Sequence, residues 1–220
     1  MDLDFNNKNV LVFGGSKGIG LGVVKSFSER GANVFYASRS KNSLKNKNIH
    51  FLKVNVKNKN EIDKLFEKNF KKKKLDILVN TTGINYAKLN NKISLKEWKE
   101  VLDVNLSSYF YICKLALKIM RKKKTGKIVN VSSIAGRHRS IISGAHYVSS
   151  KSGIIGLTKQ LAFESAKYNI NINVVCPSQT KTEMLKKTMS QKQISSLIKN
   201  IPLRRIASVD EQVGPILFLS

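Results

Sequence analysis

Short, continuous apolar runs alternate along the chain with longer stretches in which apolar residues return at helical spacing. The runs at 10–13, 34–37, 51–54, 77–79, 128–131 and 172–175 are rich in Val and Ile and are flanked by Gly, Asn and Lys. They predict six strands. Between them the periodicity predicts helices, notably over 95–120 and 147–168. Strands that are apolar at successive positions must be covered on both faces, and strand–helix alternation supplies that cover. The expected fold class is therefore α/β, a doubly wound and mostly parallel sheet.

No internal repeat or Pro/Gly-rich linker interrupts this rhythm, and 42–48 and 57–60 read as polar turns within one unit. A length of 220 residues suits one sizeable core, so 1–220 is expected to be a single domain. The rhythm breaks only at 178–202, a weakly amphipathic stretch after the sixth strand. In an open α/β sheet the ligand crevice lies at the strand C-termini, so 178–202 is the candidate substrate lid.

Hydrophobic residues at 41% and charged residues at 25% are ordinary for a soluble globular protein, but 40 Lys and Arg against 14 acids give a formal charge of +26. Such a charge concentrates acidic partners around the molecule. The lysines are scattered through helices, turns and loops, with local clusters only at 71–74 and 121–124, so nucleic acid is not an expected partner. Cys113 and Cys176 have neither the number nor the spacing of a disulfide framework or a metal site, and no metal is expected. The N-terminus at 1–8 lacks the apolar stretch of a signal peptide, and no run approaches membrane-spanning length. A cytoplasmic address and no membrane association are expected.

The first strand runs into Gly14-Gly15-Ser16-Lys17-Gly18-Ile19-Gly20, which opens directly into a helix. Glycines here permit a tight turn and close approach of backbone to a pyrophosphate, whose charge a helix N-terminus stabilises. Taken alone the spacing is weak, but its place between first strand and helix is the required context. The second strand ends in Ala37-Ser38-Arg39-Ser40, with a cation where an acid would hold a ribose hydroxyl. Arg39, Ser38 and Lys17 are candidates for a 2′-phosphate, which favours NADP(H). Farther on, Tyr147 and Lys151 lie four apart on one helix face, after Ser133 at the end of the fifth strand.

The Gly-x-x-x-Gly-x-Gly spacing, 80–83, Asn105, 128–136, 147–151 and 177–182 occur in one order over essentially the whole chain. That ordered set resembles the short-chain dehydrogenase/reductase family, which has a Rossmann-like fold, and 126–136 with 144–184 look most like its 3-oxoacyl-acyl-carrier-protein reductases. The departures are Phe13 for a small residue, Asn55 for an Asp that contacts adenine, Thr81-Thr82 within an Asn-Asn-Ala-Gly motif, and Ser178 for Gly.

The resemblance implies that Tyr147 gives a proton to a substrate carbonyl as hydride arrives, helped by Lys151, which also holds the nicotinamide ribose. It implies that Ser133 hydrogen-bonds the reacting oxygen and that Asn105 holds a water relaying protons from Lys151. Gly14, Ser16, Lys17, Gly18, Ile19, Gly20, Ser38, Arg39, Asn55, Asn80, Gly83, Tyr147, Lys151, Pro177 and Thr182 are the expected cofactor residues. His138 and His146 read as ordinary loop residues. In this family 217–220 precedes a turn and a seventh parallel strand that this chain lacks, so the sixth strand is expected at an open edge.

The expected activity is NADPH-dependent reduction of a ketone to a secondary alcohol, with a 3-oxoacyl group on an acidic carrier protein as one substrate class. A small keto compound, sugar or xenobiotic is the alternative. A non-catalytic relative that binds cofactor or nucleic acid is the rival from another class, and intact Ser133, Tyr147 and Lys151 stand against it. A homo-oligomer, dimer or tetramer, is the expected assembly.

Overall fold

The computed structural model describes residues 3–220; Met1 and Asp2, part of the polar N-terminus, lie outside the described residues. Six strands form one sheet: β1 (Asn9–Phe13), β2 (Asn33–Ser38), β3 (Ile49–Lys53), β4 (Ile77–Asn80), β5 (Gly126–Val131) and β6 (Ile170–Val175). All neighbours are parallel in the order β3-β2-β1-β4-β5-β6. The order reverses between β1 and β4, so their C-terminal ends diverge and leave a crevice.

The helices are α1 (Gly18–Glu29), α2 (Lys59–Phe70), α3 (Leu95–Leu102), α4 (Ser108–Lys123), α5 (Ala145–Ser165), α6 (Glu183–Thr188), α7 (Gln191–Lys199) and α8 (Asp210–Phe218). Side chains alternate across each strand and so feed two cores. Leu11, Phe13, Phe35, Leu78 and Ile128 meet Ile62, Phe66 and Phe70 of α2 and Ile112, Ala116 and Met120 of α4. Val10, Val12, Val34, Tyr36, Val79 and Val129 face the other way, onto Val23, Val24 and Phe27 of α1 and Val213, Ile216 and Leu217 of α8. Burying each of the larger side chains stabilises the fold by about 1.5–3 kcal/mol. The strands are thus apolar on both faces because each face has a helix layer to bury it.

Three local expectations are revised. The helix expected over 95–120 is interrupted by a π turn at Asp103–Ser107 that separates α3 from α4. The segment 57–60 is only half a turn: Asn58 accepts from the backbone N–H groups of Asn60 and Glu61 and so starts α2. The stretch 178–202 holds α6 and α7, whose Leu185 and Leu197 join Met189 and Ile206 in a separate small core with Ile142, Ile194, Ile198 and Ile201. Among the described residues β6 pairs with β5 alone and forms one edge of the sheet.

Candidate active site

The strand ends deliver the candidate residues to one edge of the sheet. After β1 the glycine turn is pressed against the exit of β4. Gly14 has φ +87°, and a Cβ there would lie 2.6 Å from Thr81 Oγ1 and 2.9 Å from the Thr82 backbone nitrogen. A Cβ on Gly20 would lie 2.3 Å from the Gly14 carbonyl oxygen. Only glycine allows this closeness. Thr81 completes the contact, its hydroxyl donating to the Phe13 carbonyl at 2.7 Å. The altered motif at 81–82 therefore has a job of its own, tying β1 to β4.

No side chain caps α1, whose N-cap is Lys17, so the first-turn N–H groups face the crevice without an internal acceptor. Ser16 is half-buried there and Ile19 packs into the α1 core. Lys17, expected at a phosphate, reaches across to Glu183 of α6 at 2.8 Å, and Gly18 faces the Thr182 methyl. Thr182 accepts from the Leu185 N–H and caps α6. At the end of β2, Ser38 donates to the Ser40 carbonyl at 2.6 Å, while Arg39 is exposed. Asn42 Nδ2 donates to the Gly15 carbonyl and its backbone N–H donates to the Tyr36 hydroxyl; a residue read as part of a polar turn thus braces the glycine turn.

Two expected cofactor contacts have their amides engaged elsewhere. Asn80 is fully buried, and its Nδ2 donates to Asn130 Oδ1 at 2.8 Å, with Asn130 in turn donating to Thr158 at 3.0 Å. Its side chain therefore serves the interior between β4 and β5. Asn55 Oδ1 accepts from the Lys57 N–H at 3.2 Å and shapes the exposed turn before α2.

Ser133, Tyr147, Lys151 and Asn105 come together where β4 and β5 end. Ser133 follows β5, its hydroxyl accepts from the Ala135 N–H at 3.1 Å, and it lies close enough to the Tyr147 phenol to favour its ionised form. Pro177 is brought alongside by its carbonyl, which accepts from Ile134 N–H at 2.8 Å. One turn along α5 from Tyr147, Lys151 places its ammonium 5.7 Å from the Tyr147 ring centre and donates to the Val131 carbonyl at 3.0 Å. Ser132 fixes the same helix to β5 by donating to the Lys151 carbonyl at 2.7 Å. A Cβ on Gly83 would lie 3.5 Å from Lys151 Nζ and 3.7 Å from Asn105 Oδ1, so the loop after β4 closes on both.

The Asn105 amide is already occupied: Oδ1 accepts from Ile84 N–H at 2.9 Å, while Nδ2 donates to the Ile84 carbonyl at 2.9 Å and to Ser150 at 3.1 Å. The π turn that carries Asn105 is what turns this side chain onto the loop. Burial pushes the Tyr147 phenol up, with the Ser133 hydrogen bond opposing, and pulls Lys151 down to about 7. Each charge is thus disfavoured alone, which is the setting for a group that gives up a proton only to a partner.

His146 is not a loop residue. It sits in the first turn of α5, fully buried, with Nδ1 accepting the Tyr147 backbone N–H at 2.8 Å and its ring 6.0 Å from Tyr86. Sequence reasoning also missed Tyr109, whose hydroxyl lies among the carbonyls of Asn80, Thr82 and Val131. In the sequence it is one more apolar position on a helix.

Residues 8–193 match the family described as short chain dehydrogenase. A 3-oxoacyl-[acyl-carrier-protein] reductase of Chlamydia pneumoniae is 34% identical over 230 residues, covering 100% of this chain and 92% of the relative. Among solved structures, a short chain dehydrogenase from Leptospira borgpetersenii with bound NAD+ has a TM-score of 0.91 at 29% identity, over 99% of this chain and 87% of that one. ElxO with NADP bound has a TM-score of 0.89 at 32% identity, over 96% of this chain and 90% of that one. With residues 8–193 matched and 34% identity over the whole chain, the chain belongs to the short-chain dehydrogenase family.

Proposed function

We propose that this chain is an NADPH-dependent reductase that converts a ketone to a secondary alcohol, with a 3-oxoacyl group carried on an acyl-carrier protein as its substrate. The observation that carries the chemistry is the Lys151 ammonium 5.7 Å from the Tyr147 ring centre, with Ser133 beside the same phenol. The residues present fit a dinucleotide: the glycine turn is a cradle that a Cβ at Gly14 or Gly20 would fill, and the α1 N-terminus beyond it has no side-chain cap. When bound, NADPH supplies the hydride.

Tyr147 gives its phenolic proton to the substrate carbonyl oxygen, and Ser133 donates a second hydrogen bond to that oxygen. The phenolate left on Tyr147 is stabilised by the Lys151 charge. Reprotonation runs from Lys151 through a water. Both Asn105 Nδ2 hydrogens are spent on Ile84 and Ser150, so Asn105 would hold that water through an oxygen. Arg39 and Lys17 supply the positive charge for a 2′-phosphate, and Ser38 flanks them.

The carrier-protein substrate is supported by the likeness to the Chlamydia pneumoniae reductase and by the +26 charge, which suits an acidic partner. A homo-oligomer is supported by Phe110 on α4 and Phe163 on α5, 50% and 82% exposed on helices that a second copy would cover. Among the described residues no helix is long and apolar enough to cross a membrane, in keeping with a cytoplasmic site of action. Following NADPH oxidation with acetoacetyl-carrier protein, simple ketones and aldoses tests the reading. Turnover strongest on the carrier-bound substrate is expected; preference for a small ketone or sugar would replace the substrate, and no turnover on any of them would overturn the function.

A further inference from the structure

The β4–β5 ladder ends at the pair Asn80 and Asn130, and the strands then part, β4 toward Gly83 and β5 toward Ser133. At the point of parting sits the hydroxyl of Tyr109, a fully buried side chain from α4. It lies 2.8 Å from the Thr82 carbonyl oxygen, 3.1 Å from that of Asn80 and 3.2 Å from that of Val131. A phenol has one proton to donate. The shortest contact, to Thr82, marks its acceptor.

The Val131 carbonyl is shared, because Lys151 Nζ donates to it at 3.0 Å and the same Nζ lies 5.6 Å from the centre of the Tyr109 ring. Three carbonyl oxygens thus converge on one hydroxyl, and one of them, that of Val131, also receives the ammonium. The titratable groups facing Lys151 are Tyr147 on its own helix, Tyr109 on α4 and Cys176 beyond β6.

We infer that Tyr109 is a positioning residue for the proposed proton transfer: its hydroxyl clasps the diverging ends of β4 and β5 and shares the carbonyl cluster with Lys151, setting how much of that cluster the ammonium must satisfy alone. Carbonyl oxygens stabilise a cation and buried acceptors demand donors. Deleting the hydroxyl leaves Lys151 as the donor closest to the cluster, so its protonated form gains. Strengthening the phenol as a donor does the reverse. This rests on the reductase reading for its importance, not for its test.

The test is competitive labelling of the ligand-free protein with acetic anhydride across pH, with the Lys151 peptide read by mass spectrometry and thermal melting run alongside. Its readout is the Lys151 titration itself, so it stands even if no ketone is ever reduced. Tyr109→Phe is expected to move the Lys151 inflection upward by about one pH unit. Site-specific 3-fluorotyrosine at position 109, which keeps the ring and sharpens the donor, is expected to move it downward and serves if the Phe variant does not fold. An unmoved inflection in either folded variant, including one that melts early, would reduce Tyr109 to packing and overturn the inference.

Discussion

Lys17 in the glycine turn and Glu183 at the start of α6 are joined at 2.8 Å, although 166 residues separate them in the chain. Their side chains are 61% and 58% exposed, so the pair contributes little to stability and yields readily to a stronger anion. A 2′-phosphate is such an anion. NADPH should bind at least about tenfold tighter than NADH, the scale of one added charge-assisted contact. Arg39→Asp should reverse the preference. Glu183→Gln, by releasing Lys17, should tighten NADPH about two- to threefold and leave NADH unchanged. Fluorescence titration of both cofactors checks all three, and equal affinities in the unmodified protein would remove the phosphate role of Ser38, Arg39 and Lys17.

Tyr147→Phe deletes the proposed proton donor and keeps the ring against Lys151. Turnover should fall about a hundredfold or more, the scale for loss of a positioned acid, while NADPH binding stays nearly intact. Lys151→Ala should damage both. A Phe variant retaining more than about a tenth of the activity would assign proton donation elsewhere.

Burial lowers Lys151 to about 7 in the folded protein, whereas an unfolded lysine holds its proton to near pH 10.4. Between those values the unfolded state binds more protons, so the stability of the ligand-free protein should rise with pH, by at most about 1.4 kcal/mol per unit. Below about pH 7 both states are protonated and this contribution is flat. Melting curves of wild type and Lys151→Met from pH 6 to 10 isolate it: the gap between them should narrow as pH rises. A constant gap would show that Lys151 stays charged through this range.

Asn130 links β4 to α5, accepting from Asn80 Nδ2 at 2.8 Å and donating to Thr158 at 3.0 Å in a fully buried site. Asn130→Ala leaves Asn80 Nδ2 with only the long contact to Cys113 Sγ at 3.5 Å and Thr158 with only its bond to the Ile154 carbonyl, and should cost about 1–3 kcal/mol. The double change with Asn80→Leu, which removes a stranded donor, should be less damaging than the sum of the single changes. Urea unfolding measures both, and strict additivity would mean the amides act independently.

The strands were legible because a sheet covered on both faces favours apolar residues at successive positions, as in Val10–Phe13; only Lys53, Asn130 and Asn173 interrupt the six runs. The candidate group of Ser133, Tyr147 and Lys151 was legible because the three lie close in sequence, on one strand end and one helix. What stayed hidden depends on the third dimension. The π turn that aims the Asn105 amide at Ile84 has no pattern of its own within the apolar periodicity of 95–120. Tyr109 and Asn42 act through carbonyls far along the chain, and composition cannot distinguish them from a core aromatic and a turn residue. His146 was misplaced because the first turn of α5 starts two residues before Tyr147, at Ala145.

Carrier-protein docking offers the sharpest test of the substrate proposal. Lys124 ends α4 in a left-handed cap with φ +50°, and Lys167 follows α5 with its ammonium 5.4 Å from the Tyr168 ring centre. Arg121 stacks on the same tyrosine at 5.2 Å, so the basic groups around Tyr168 form one patch beside the start of β6. An acidic carrier would be attracted by that patch, whereas a free thioester of the same acyl group has no surface to present to it. Reversing Lys124 and Lys167 to Glu should therefore raise KM for the carrier-bound substrate about tenfold or more, lessen its salt dependence, and leave kcat and the KM of a small thioester analogue unchanged. Parallel losses on both substrates would mean that the patch supports the fold. No loss on either would leave the carrier to bind elsewhere, and the +26 charge would then say nothing about this partner.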